Sequence, residues 1–205
     1  MNKNDSRYES RSAAVYNALA NDYENTFDGR FTQKFKTMLV EAVKLQDGYN
    51  VLDVACGNGR LLKMFADKCA INGYGTDISG NMIAQARRLN PLMEFSVGRC
   101  EQTPFAGGTF DVITVCAAYH HFPDVKSFAQ EAYRLLKTQG KIYIADIYYP
   151  RAIRAVCNPF IRFSKAGDVK LYSPQEIIAT LYDAGLNGAN HIIDGHVQIV
   201  SARRE

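Results

Sequence analysis

The 205-residue sequence has no apolar run approaching the roughly 20 residues that span a bilayer, so no membrane span is expected. Neither an internal repeat nor a low-complexity tract is present, which sets aside solenoids and arrays. No strong charge of either sign appears: the formal net charge of +3 gives only a weak pull toward anions. None of the five cysteines forms a C-x-x-C pair, and their number is odd. With no secretory leader visible, reduced thiols in a cytoplasm are the simplest expectation. What remains, at 47% hydrophobic and 22% charged residues, is an ordinary globular composition. The length fits one domain with a substantial core.

The most informative stretch is NVLDVACGNGRLL, Asn50 to Leu62. Val51-Leu52-Asp53-Val54 reads as a buried strand that carries one out-of-place carboxylate. Cys56-Gly57-Asn58-Gly59 is a glycine-spaced turn, and an apolar-periodic helix follows it. Glycines let a backbone approach a ligand and take positive φ, and a helix N-terminus offers unpaired N–H groups. A dinucleotide fingerprint G-x-G-x-x-G requires a third glycine, and Leu62 stands there instead. A buried Asp53 is costly unless a cation or several donors satisfy it. A ligand bearing an ammonium or donor-rich polar groups would do so.

The segment VLDVACGNG resembles the first motif of the class I S-adenosylmethionine-dependent methyltransferases, with Ala55 at a position where glycine is frequent. That resemblance implies S-adenosylmethionine as cofactor, with Asp53, Ala55, Cys56, Gly57 and Gly59 holding its methionine end. The strand expected over 71–77 ends in Asp77, where an acid accepts from ribose hydroxyls in dinucleotide enzymes and methyltransferases alike. Ser79 is the expected N-cap of a helix over 81–89, and Ile78 and Met82 are placed against the adenine edge. In GRCEQTPF, Arg99 occupies the family's usual acidic position. Adenine contact then passes to Glu101 or to the backbone around Cys100. Cys116, ending the strand over 112–116, completes the cofactor set. Tyr16, in YNALANDYEN, resembles the tyrosine of the family's entry helix and joins it.

Beyond that fourth strand comes Ala117-Ala118-Tyr119-His120-His121. Ligands of open α/β sheets bind past the carboxyl ends of the strands. His121, and less strongly His120, are therefore the acid/base candidates. A helix over 125–137 stopped by Gly140, a strand over 141–147, a helix over 175–184 capped by Ser173, and a hairpin around Asp194-Gly195 follow. The expected fold is α/β: a Rossmann-like, seven-stranded, mostly parallel sheet with helices on both faces and an antiparallel C-terminal edge strand.

The chain is read as one methyltransferase domain. Residues 1–47 form a helical lid, 48–147 the cofactor-binding core, 148–172 a basic and aromatic cap insertion, and 173–205 the closing helix and hairpin. Within the lid, 1–12 is expected to fray at its start. The expected activity is methyl transfer to a small-molecule acceptor, with a homodimer as a possible assembly. An NAD(P) oxidoreductase is the alternative of the same fold, although no Tyr-x-x-x-Lys pair follows strand four. An RNA methyltransferase is another, but low net charge and the lack of an appended RNA-binding domain leave nucleic acid an improbable partner. The scattered cysteines do not suit a thiol-using arsenical methylase, and no metal is implied.

Overall fold

The structure, a computed structural model, describes residues 3–161, 163–164 and 166–205, with side chains described from Tyr8 onward. Helix α1 (Lys3–Leu19), a 3-10 turn (Tyr23–Asn25) and helix α2 (Phe27–Ala42) precede strand β1 (Asn50–Val54). Then follow α3 (Arg60–Ala66), β2 (Asn72–Asp77), α4 (Gly80–Leu89), β3 (Glu94–Val97) and β4 (Phe110–Cys116). A second 3-10 turn (Tyr119–His121), α5 (Val125–Leu135), β5 (Leu136–Ile147), α6 (Arg151–Ile161), α7 (Pro174–Asp183), β6 (Leu186–Asp194) and β7 (Val197–Arg204) complete the chain.

The sheet order is β3-β2-β1-β4-β5-β7-β6. β1 to β5 pair in parallel, whereas β7 runs antiparallel between β5 and β6. The antiparallel C-terminal strands arrive as expected, with β6 taking the outermost place. Alternation explains why the central strands are apolar almost throughout. Leu52, Val54, Ile113, Val115, Ile142 and Ile144 enter one core with α5 and α7. Val51, Val112, Tyr143 and Ala145 enter the other, with α2, α3 and α4. Each such aliphatic side chain is worth about 1.5–3 kcal/mol when buried, so both faces hold strongly. Asp53 and Thr114 interrupt the second face at adjacent register positions, beside the carboxyl end of the sheet.

Several boundaries differ from the sequence reading. α1 is regular from Lys3, well before the apolar periodicity begins at Ala13. Tertiary contacts hold this polar first half: Glu9 pairs with Arg99 at 2.7 Å, and Ser12 Oγ donates to the Ala166 carbonyl. α5 ends at Leu135, so Gly140 is no helix stop. It lies inside β5, where a Cβ would come within 2.9 Å of the Phe110 carbonyl oxygen beside the register shift of β4. The 148–172 excursion contains α6, an unexpected helix with no buried residue. Arg162 and Lys165, two of the basic residues expected in that cap, lie outside the described residues. Ser173 does cap α7, its hydroxyl accepting from Glu176 N–H in a capping box.

The β1–α3 turn reverses direction by three left-handed residues, Ala55, Gly57 and Gly59, at φ 57°, 52° and 76°. At Ala55 the conformation strains a Cβ. At Gly59 a Cβ would meet Asn90 Nδ2 at 2.8 Å and Ala86 Cβ at 3.0 Å, because α3 and α4 close on this residue. Opposite signs follow for two exchanges in one turn. Ala55→Gly should stabilise by about 1 kcal/mol, and Gly59→Ala should destabilise by about 1–3 kcal/mol, read from denaturant midpoints.

Candidate active site

A cavity of about 1010 Å³, its open mouth included, lies beyond the carboxyl ends of β1, β2 and β4 under α1. Four consecutive turns supply its walls because each parallel strand ends on the same edge of the sheet. Of the expected cofactor residues, Asp53, Ala55, Cys56 and Gly57 line it on the β1 side. Asp77, Ile78 and Met82 line it after β2, with Cys100, Cys116 and Tyr16 elsewhere around the wall. Three expectations fall outside. Gly59 faces the α3–α4 contact, as described above. Glu101 turns onto Arg99 Nε at 3.4 Å, so the carboxylate expected at the adenine end serves a neighbouring guanidinium. His120 sits behind the cavity, its Nδ1 2.6 Å from Asp146 Oδ1.

Asp53 is 1% exposed, and Thr114 Oγ1 donates to its Oδ1 at 2.7 Å. Burial pushes its pKa up to about 7, against that hydroxyl, with the Asp77 charge adding and Lys36 opposing. Lys36 is itself occupied, with Nζ 3.0 and 3.2 Å from the two Glu24 carboxylate oxygens. Asn58 Nδ2 donates to the same Glu24 at 2.9 Å, which ties the glycine turn to the segment before α2. Asp77 holds that turn from the other side: its two oxygens accept from Gly57 N–H and Ser79 N–H, both at 2.8 Å. Burial raises its pKa while those donors oppose the rise. At Gly57 a Cβ would meet nothing within 4 Å, so the turn presents bare backbone to open space.

On the far wall Tyr16 Oη lies 3.1 Å from His121 Nε2. His121 Nδ1 stands 3.0 Å from Asp168 Oδ1, at ion-pair distance but outside hydrogen-bond alignment. Burial, with His120 beside it, pushes the His121 pKa below the ordinary value. Burial also works against charge on His120, yet Asp146 outweighs it and holds that pKa high. Sequence reasoning found the histidines but missed Asp168, Asp146, Lys36 and Asn17. Asn17 Oδ1 accepts from Ser79 Oγ and Asn81 N–H at the start of α4. Nothing local marks these residues, since each acts on a segment distant in sequence.

Residues 52–144 match a family described as "Methyltransferase domain". Over that segment the chain is similar to a methyltransferase domain. A demethylmenaquinone methyltransferase of Renibacterium salmoninarum is 30% identical over 142 residues, covering 67% of this chain and 59% of that protein. Phosphoethanolamine N-methyltransferase 1 of Arabidopsis thaliana is 31% identical over 150 residues, covering 71% of this chain and 30% of that protein. The chain therefore spans little more than half of the first relative and under a third of the second. By structure, it matches a chain from a complex between the Haloferax volcanii Trm112 methyltransferase activator and a putative methyltransferase. That match has a TM-score of 0.80 at 20% identity, covering 93% and 98% of the two chains.

S-Adenosylmethionine carries an ammonium beside a sulfonium and a ribose with two hydroxyls. The residues fit it: a buried carboxylate with one partner, a second acid at a strand end, and an open glycine cradle between them. Asp53 is faced by Asp77, Lys36, Cys56 and Cys116, and both thiols are held protonated by burial. A ligand ammonium would require Asp53 ionised, and burial pushes the pKa of that carboxyl up to about 7. Affinity for S-adenosylhomocysteine should consequently fall by up to about tenfold per pH unit below 7 and level off above it. Calorimetry from pH 6 to 8.5 reads this, and Asp53→Asn should flatten the profile and weaken binding at pH 8.

Proposed function

We propose that the protein transfers a methyl group from S-adenosylmethionine to a small apolar aromatic acceptor, of hydroquinone or phenol type. The observation that carries this reading is the cradle in which Asp53, bare Gly57 and Asp77 face one cavity. The cofactor supplies a methyl group already activated on a sulfonium. The protein's work is then to hold the acceptor in line with it and exclude water. Asp53 and the Ala55–Gly57 turn hold the amino-acid end, Asp77 the ribose, and Ile78, Met82 and Cys100 the base. His121 and Tyr16 meet the acceptor from the opposite wall, and His121 takes a proton from an acceptor that arrives un-ionised. His120 positions its neighbour.

The name of the Renibacterium relative supports a quinone-like acceptor, and the cavity chemistry favours it over phosphoethanolamine. Two of the three lining cations that could receive a phosphate are matched, Lys36 by Glu24 and Arg99 by Glu9 and Glu101, and the third, Arg60, is exposed. The wall beside His121 is Ala117, Ala118, Phe122 and Pro123, suited to an apolar ring. In this reading residues 1–47 act as a lid, 148–172 as a cap, and 48–147 with 173–205 as the catalytic body. The five free cysteines support a reducing cytoplasm. No helix among the described residues is long and apolar enough to cross a membrane. A homodimer would use α6, whose Val156 and Phe160 are each 67% exposed.

Methyl transfer from labelled S-adenosylmethionine to a panel of hydroquinones and phenols, with phosphoethanolamine alongside, tests the substrate class. Labelled aromatic product is expected, and transfer to phosphoethanolamine alone would overturn it. Failure of the wild type to bind S-adenosylhomocysteine would overturn the methyltransferase reading itself. His121→Gln should lower turnover of a phenol about 100-fold and leave nucleoside affinity unchanged. If α6 is the dimer contact, light scattering should show Phe160→Asp as a monomer beside a dimeric wild type.

A further inference from the structure

Behind the cavity wall, one ligand atom each of His120, His121 and Asp168 converge, all within 4.8 Å of one another. Asp168 Oδ1 is 3.0 Å from His121 Nδ1 and 3.7 Å from His120 Nε2. Donor atoms sharing a first-row divalent ion at 2.0–2.2 Å stand about 3–3.5 Å apart, so small side-chain shifts would bring these three onto one ion. His121 Nδ1 is buried and faces Asp168 Oδ1 at 3.0 Å, so nitrogen and carboxylate oxygen already point at one another. We propose that His120, His121 and Asp168 form a binding site for a divalent transition-metal ion of the zinc or iron(II) class.

Two further features support this beyond the convergence of donors. Each histidine already has a group that would set its tautomer. Asp146, 1% exposed, sits 2.6 Å from His120 Nδ1, the carboxylate–histidine pairing that leaves Nε2 as the ligand atom. Tyr16 Oη does the same for His121: a hydroxyl both donates and accepts, so it can receive Nε2–H and leave Nδ1 free to coordinate. Charge also matches, since Asp146 and Asp168 together offset a divalent ion beside two neutral imidazoles. Two histidines and one carboxylate are a donor set for zinc or iron(II) rather than for magnesium or calcium.

The loop that brings Asp168 is built to hold it there. Val169 N–H donates to the His120 carbonyl at 2.8 Å. Gly167, at φ 82°, passes so close to α1 that a Cβ would lie 2.7 Å from the Tyr8 carbonyl oxygen. An ion would therefore join the cap segment to the turn after β4 and, through Tyr16, to the lid helix. Only His121 of the three also lines the cavity. With its Nδ1 lone pair on a metal and Nε2 protonated toward Tyr16, it has no lone pair for an acceptor's proton. Metal loading and proton acceptance are thus alternatives at one imidazole, and the ion acts as a brake on acceptors that must be deprotonated.

The site stands independently of the methyltransferase reading, and its test separates the two. Metal-free protein titrated with Co(II) should take up one ion per chain, reversibly by chelator. The visible bands should lack thiolate charge transfer, because no cysteine belongs to the set. Asp168→Asn and His120→Gln should each abolish stoichiometric uptake, and Asp146→Asn should weaken it 10–100-fold. The circular dichroism spectrum and thermal midpoint of each variant report that the domain is folded. Absence of stoichiometric uptake by the wild type, a thiolate band in its spectrum, or undiminished uptake by folded Asp168→Asn or His120→Gln would overturn the proposal.

Discussion

A carboxylate placed inside a parallel sheet is the constraint around which this domain is arranged. Asp53 stands in β1 where Val51, two residues earlier, packs into the core, and among the described residues only the Thr114 hydroxyl hydrogen-bonds it. Burial of an ionised carboxylate with a single neutral donor is unfavourable, which pushes the Asp53 pKa up to about 7. That unmet demand favours a ligand that brings a cationic donor. A ligand with an ammonium in the right place relieves it, and a ligand without one leaves it. Lys36 cannot relieve it fully, because Glu24 already holds the ammonium. The surrounding network thus keeps the lysine close enough to moderate the cost and too committed to cancel it.

The same economy governs the opposite wall. Four acidic or imidazole groups, Asp146, His120, Asp168 and His121, form a chain of contacts from 2.6 to 3.7 Å, closed by the Tyr16 hydroxyl. The chain begins in β5, passes through the turn after β4, takes in the cap segment and ends on the lid helix. Four parts of the fold that are remote in sequence share one set of protons. Whatever changes the charge there, whether an acceptor or a metal ion, acts on lid and cap together.

Much of the core was legible because its signals are local. Asp53 was conspicuous as a charge in an apolar run, Asp77 as an acid closing a strand, and Gly57 as part of a spaced turn. Alternating apolar residues marked β1 and β4, and Ser173-Pro174 announced α7. The errors have a common physical source. Gly59 was assigned to the ligand because glycine spacing cannot say whether missing bulk admits a cofactor or a neighbouring helix. Here it admits Asn90 and Ala86. Glu101, expected at the adenine, lies with Oε2 3.4 Å from Arg99 Nε, a partner two residues away. Asp168, Asp146 and Asn17 carry no local mark, since their partners are fixed only once the chain has folded. α1 was likewise underestimated at its start, where ion pairing and a long-range hydrogen bond replace apolar periodicity.

The position of β7 has a bearing on how such a chain assembles. β5 must wait for a partner that lies beyond two helices and a further strand: Ile147 pairs with Val197, and Lys141 with Arg203. Until then its apolar residues Ile142 and Ile144 border an open edge of the sheet, and β6 has nothing to dock against. The hairpin formed by β6 and β7 can close locally, because its turn at Gly195 takes a positive φ at no cost. A preformed hairpin that slides in as one unit would seal the β5 edge in a single step. Slow synthesis through 148–196 would prolong exposure of the β5 edge, so the length of chain between β5 and β7 sets a folding hazard.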